Sequence, residues 1–139
     1  MTEAELSALF FIRARIKKVE ERMAELDDEI GVGSLNMDGM PHGSTPGNPV
    51  ERLALAKAAL HEQLVNLKAT LLERERNIRE YIESVEPEDI KLIMELRFFE
   101  FKDWYEIAGD LEEVTGVWVD RTTPAKRMRK YLRDREKTG

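Results

Sequence analysis

Two long heptad stripes constrain this chain more than any other feature. From Glu3 to Ile30, apolar residues recur at Leu9, Ile12, Ile16, Val19, Met23, Leu26 and Ile30, in alternating steps of three and four with charges between them. That spacing puts them on one face of an amphipathic α-helix, roughly 40 Å long at 1.5 Å per residue. A second stripe runs through Val50, Leu53, Leu60, Leu64, Leu67, Leu71, Ile78 and Val85, interrupted at Lys57 and Arg74 and backed by Ala54, Ala56, Ala58 and Ala59. Asn48 is placed to cap this helix, and Pro49 fits its first turn. Lys57 and Arg74 are expected at the edge of the seam, with their charges reaching water. One helix cannot hide such a stripe alone. Two stripes of similar length imply an antiparallel hairpin, or a bundle formed between chains.

Between the stripes lies GVGSLNMDGMPHGSTPGN, residues 31–48, holding five of the eight glycines and two of the five prolines. It is expected as a loop, far longer than the two to eight residues usual between helices, and either disordered or wrapped back as a functional loop. His42 lies in it without another histidine, a cysteine or paired carboxylates nearby, a poor metal site.

A third helix is expected to begin around Glu86-Pro87-Glu88-Asp89, where proline suits the first turn and the carboxylates face the positive end of the helix dipole. It carries Ile90, Ile93, Met94 and Arg97 and closes near Phe98 or Phe99. A turn at Phe101–Asp103 leads into a fourth helix with Trp104, Ile107, Ala108 and Leu111 on one face, and Thr115-Gly116 breaks it. Val117, Trp118 and Val119 form a short apolar segment. Thr122-Thr123-Pro124 then opens a last helix, with threonine as cap and proline just inside. On it Ala125, Met128, Tyr131 and Leu132 share one side, while Lys126, Lys130 and Arg133 lie opposite, flanked by Arg127 and Arg129.

Charge is sharply segregated. The net charge is −6, yet residues 85–120 carry 3 basic and 11 acidic side chains, and residues 121–139 carry 8 basic and 2 acidic, that is −8 followed by +6. Such a terminus suits an acidic partner, or else the two segments attract each other within one fold. Absence of cysteine excludes disulfides and thiolate metal sites and favours a cytoplasmic setting. The first residues have neither the basic start nor the apolar length of a signal peptide or membrane span.

The string LRFFEFKDWYEIAGDL, Leu96 to Leu111, resembles the hydrophobic core of phage-borne transcriptional regulators of the ArpU/RinA type, which in turn resemble region four of bacterial sigma factors. RTTPAKRMRKYL, Arg121 to Leu132, is similar to the recognition-helix portion of that group, and MPHGSTPGNP is like its linker. The resemblance implies an all-α chain with a helical hairpin over 1–85 and a helix–turn–helix-like three-helix domain over 86–139. It implies double-stranded DNA as partner, contacted by Thr122, Thr123, Lys126, Arg127, Arg129, Lys130 and Arg133, with RNA polymerase as a further candidate. The two threonines would hold a phosphate at the helix N-terminus, and the basic side chains would address phosphates and base edges. In the sequence ten residues separate Leu111 from Thr122, whereas helix–turn–helix motifs use three or four.

No Ser/His/Asp, paired-carboxylate or glycine-rich phosphate pattern is present, so neither catalysis nor a cofactor is expected. The stripes lead us to expect a homo-oligomer. A non-enzymatic structural or packaging protein that assembles through the hairpin is the alternative to a regulator.

Overall fold

The computed structural model describes residues 1–36 and 49–138, and the side chains of 1–30 and 49–138. Five α-helices follow one another: α1 (Glu3–Asn36), α2 (Pro49–Glu83), α3 (Glu88–Phe98), α4 (Trp104–Thr115) and α5 (Thr123–Thr138). No strand occurs among the described residues, and none of their helices is long and apolar enough to cross a membrane.

The expected loop 31–48 needs correction at its start. Helix α1 runs through Gly31 and Gly33 to Asn36. A glycine inside a helix costs only about 1 kcal/mol, and an established helix gains one hydrogen bond per added residue. Two glycines therefore do not halt it. The rest of that stretch, His42 included, lies outside the described residues.

The chain divides into two compact units, one made of Ile12–Leu72 and the other of Met1–Phe11 with Glu73–Gly139. In the first, Ile12, Ile16 and Val19 of α1 are buried with Leu64 and Leu67 of α2, and Met23, Leu60 and Leu71 pack against them. Lys57 pairs with Asp27, whereas Arg15, nearer the start of α1, lies beside Leu67 and Thr70. The partner number on α2 falls as the number on α1 rises, so the hairpin is antiparallel. Lys57 sits half-buried at the seam's edge, as its place in the stripe predicts.

Ile78 and Val85 keep the predicted phase of the second stripe, and the departure begins at position 74, just past Leu71. Beyond it Arg74 is exposed, Glu75 is half-buried, and Ile78, Ile82 and Val85 are buried. A straight helix drifts by about 20° per heptad against a strict seven-residue repeat. After three heptads the buried line has therefore moved from 74 to 75, which brings in Ile82, a residue the stripe omitted.

In the second unit the turn near residue 85, expected as a domain boundary, is internal. The first turns of α1 belong with α3, α4 and α5: Leu6 and Leu9 are fully buried, and the Phe10 ring lies 5.7 Å from that of Phe98 and 6.0 Å from that of Phe101. Ile93, Met94 and Phe98 of α3, Ile107 of α4 and Met128 of α5 complete this core, each no more than 1% exposed. No charged or polar residue is buried among the described ones. Arginines act here as covers over aromatic rings. Arg97 lies 4.6 Å from the Trp104 ring centre and 5.1 Å from that of Phe10, and Arg79 lies 4.3 Å from that of Phe99.

Candidate nucleic-acid interface

Helix α5 is oriented by two well-terminated neighbours. At the start of α3 the N-cap is Pro87, one place earlier than the first-turn position expected for it, with Glu88 and Asp89 in the first turn. Between α3 and α4 the chain reverses through Phe101 at φ 60. The Lys102 amide donates to the Leu96 carbonyl at 3.0 Å, and Arg97 Nη1 donates to the Lys102 carbonyl at 3.1 Å. Lys102 Nζ also donates to Asp110 at 2.5 Å, which raises the Lys102 pKa. Asp103 caps α4 by accepting from the Glu106 amide at 2.8 Å. At the other end Gly116 takes φ 72, a left-handed conformation open to glycine without strain, and its amide donates to the Glu112 carbonyl at 2.7 Å.

Because α4 continues to Thr115, seven residues, 116–122, join it to α5. The ten residues counted from Leu111 to Thr122 include the last exposed turn of α4, which ends at Thr115, where the sequence places its break. The apolar trio expected after Gly116 faces water in part, with Val117 and Trp118 64% and 73% exposed.

On α5, Pro124, Ala125, Met128 and Leu132 are buried and Tyr131 is half-buried, so the predicted apolar side is the docked side. Arg135 belongs to it as well. Its guanidinium lies 4.3 Å from the Tyr81 ring centre and donates to Ser84 Oγ at 2.8 Å and to the Tyr131 hydroxyl at 3.1 Å. Burial raises the Tyr81 phenol pKa, with this neighbouring charge opposing the rise.

The seven predicted contact residues separate into three groups. Thr122 is engaged: its hydroxyl donates to Asp120 Oδ2 at 2.7 Å, holding that carboxyl below its ordinary value of 3.8, with help from the Arg121 and Thr122 amides. A carboxylate thus stands where the sequence predicts a bound phosphate, and Thr123 beside it is half-buried. Arg127 and Arg129, on opposite flanks of the helix, are tied to neighbouring elements. Arg127 reaches Asp89 of α3 at 3.3 Å. Arg129 makes a two-pronged contact with Glu3 of α1, Nε and Nη2 donating at 2.9 and 3.0 Å, which raises its pKa.

Lys126, Lys130 and Arg133 remain exposed, and among the described residues none of them forms an ion pair, although the Lys126 charge helps to hold the nearby Asp120 carboxyl low. Lys137, omitted from the predicted set, continues the same line: steps of four, three and four from Lys126 keep all four within about 60° of arc. That spacing was readable in the sequence. The line is roughly 16 Å long and faces away from Met128 and Leu132.

The fold and this strip define a class: a chain whose described residues are all-helical and whose helix α5 turns a line of four basic side chains to solvent. No family model, curated protein or solved structure matches the chain.

Proposed function

We propose that the chain is a non-catalytic, duplex-DNA-binding transcriptional regulator of the phage ArpU/RinA type, with α5 as the element that meets DNA. One observation carries the reading: Lys126, Lys130, Arg133 and Lys137 form an exposed line of basic side chains, none of them in an ion pair among the described residues, on a helix whose other side is fixed by core packing. A solvated surface helix commonly mixes signs along its outward face; this line has none of the opposite sign. Phosphate attraction supplies most sequence-independent affinity for DNA, and a helix backed by two others is the usual way to bring such a line to the major groove. The resemblance of Leu96–Leu111 and Arg121–Leu132 to these regulators supports the same assignment, with RNA polymerase as a second partner.

The test is a mobility-shift titration of a mixed-sequence duplex at low salt, comparing the chain with a Lys126→Ala, Lys130→Ala, Arg133→Ala variant. All three side chains are exposed, so the variant keeps its helicity. Binding should fall by at least tenfold. Equal binding by the two proteins defeats the proposal.

A further inference from the structure

Helix α2 carries heptad-spaced apolar residues on two faces, the second of them interspersed with charge. One holds Leu60, Leu64, Leu67 and Leu71 against α1. On the opposite side, at steps of four and three, stand Glu51, Leu55, Ala58, Glu62, Val65, Ala69, Leu72 and Arg76, every one exposed. Leu55 and Leu72 are each 65% exposed and Val65 is 53% exposed. Scattered surface leucines need no explanation. A second heptad line along one helix does, because it is the pattern by which helices associate.

The order of residue types along this line identifies the occupant. Read from either end it runs charge, leucine, alanine, then a central pair, then alanine, leucine, charge, and the two terminal charges have opposite sign. We propose that this face is the interface of a two-fold dimer in which α2 packs antiparallel against α2 of a second copy, with the axis between Gln63 and Leu64. A two-fold contact brings the same patch of both copies together. In this register Leu55 faces the partner's Leu72, Ala58 the partner's Ala69, Glu62 the partner's Val65 and Glu51 the partner's Arg76, each twice over. The facing alanines allow the two backbones a close approach, and the leucine pairs close the seam on either side.

A parallel arrangement would place Glu51 on the partner's Glu51 and Arg76 on the partner's Arg76. Like charges directly opposed are unfavourable, so charge selects the antiparallel form. The two Glu62 side chains lie close to the axis on the same side, and the partner's Asn66 is the amide within reach of each. This assignment is independent of the DNA reading, since it uses none of the residues of α5.

Two experiments on the whole chain test it. In sedimentation velocity at micromolar concentration the protein should run at twice its 16.1 kDa mass. Val65→Lys should shift it to monomer with helicity unchanged. Arg76→Glu alone should weaken the dimer at least tenfold, and Glu51→Arg with Arg76→Glu should restore it, a rescue that damage to the fold cannot produce.

The second experiment exploits the absence of native cysteine. Val65→Cys offsets the two thiols by only about 4.5 Å along the helix direction, whereas Leu55→Cys offsets them by about 25 Å, far beyond disulfide reach. Mild oxidation should therefore join Val65→Cys chains and leave Leu55→Cys chains separate. A monomer at high micromolar concentration, failure of the charge swap to rescue, or linkage of Leu55→Cys alone would each overturn the proposal.

Discussion

Replacing Glu3 with glutamine removes the carboxylate that holds Arg129 while keeping the shape of the side chain. In the native protein two hydrogen bonds at 2.9 and 3.0 Å join them, with Arg129 50% and Glu3 37% exposed. At that exposure the pair contributes at most about 1 kcal/mol to folding, so the melting temperature should fall by no more than a few degrees. The consequence for DNA has the opposite sign. Arg129 flanks the cationic line, and a phosphate must compete with Glu3 for its guanidinium. Lifting a competitor worth up to about 1 kcal/mol tightens binding by up to about fivefold. One more phosphate contact also steepens the plot of log affinity against log salt by about 0.9. Fluorescence anisotropy with a labelled duplex at several salt concentrations measures both quantities. Glu3→Gln binding that is weaker than native at low salt, with circular dichroism unchanged, would refute the reasoning, because Glu3 would then be supporting the DNA surface rather than competing with it.

Further predictions concern the frame that holds α5. Met128→Ala empties a fully buried position between α5 and its neighbours and should cost about 2–5 kcal/mol, read as a lower urea midpoint. DNA binding should be kept at temperatures where the variant remains folded. The Asp120 carboxyl is held low by the Thr122 hydroxyl. Its contribution is therefore present above its ordinary value of 3.8 and is lost as pH falls through the depressed one. Thr122→Val should move the Asp120 titration, followed by NMR, back up toward 3.8 and reduce the acid-induced loss of stability.

Much of the architecture was legible because it follows from apolar spacing. The stripes through Ile12, Ile16 and Val19 and through Leu64 and Leu67 predict which faces meet, and Asp103 and Gly116 mark helix ends by local chemistry that needs no tertiary context, whereas Thr122, expected as the cap of the last helix, gives its hydroxyl to Asp120 instead. Three features escaped for identifiable reasons. The burial of Ile82 depends on cumulative drift of a straight helix against its repeat. The helical state of Gly31 and Gly33 reflects the momentum of the helix before them, against their own propensity.

The third is the condition of the cationic helix. Sequence shows that Arg127, Arg129 and Arg135 are basic, but their neighbours are 38, 126 and 51 residues away in Asp89, Glu3 and Ser84. Only the fold tells that Arg127 and Arg129 are paired with carboxylates and that Arg135 is held by a hydroxyl and aromatic rings, and it leaves a narrower line than the sequence implies. Lys137 completes that line and was omitted, although its spacing from Lys126, Lys130 and Arg133 was visible.

The most direct test is the salt dependence of duplex binding by the native chain and by the Lys126/Lys130/Arg133 alanine variant. Four phosphate contacts give a log–log slope of about −3.6, so native affinity should fall about 150-fold between 50 and 200 mM salt. With Lys137 alone left on the line, the variant should lose only about three- to fourfold over the same range. A native slope shallower than about −1, or one that the three substitutions leave unchanged, contradicts the claim that this face of α5 meets DNA.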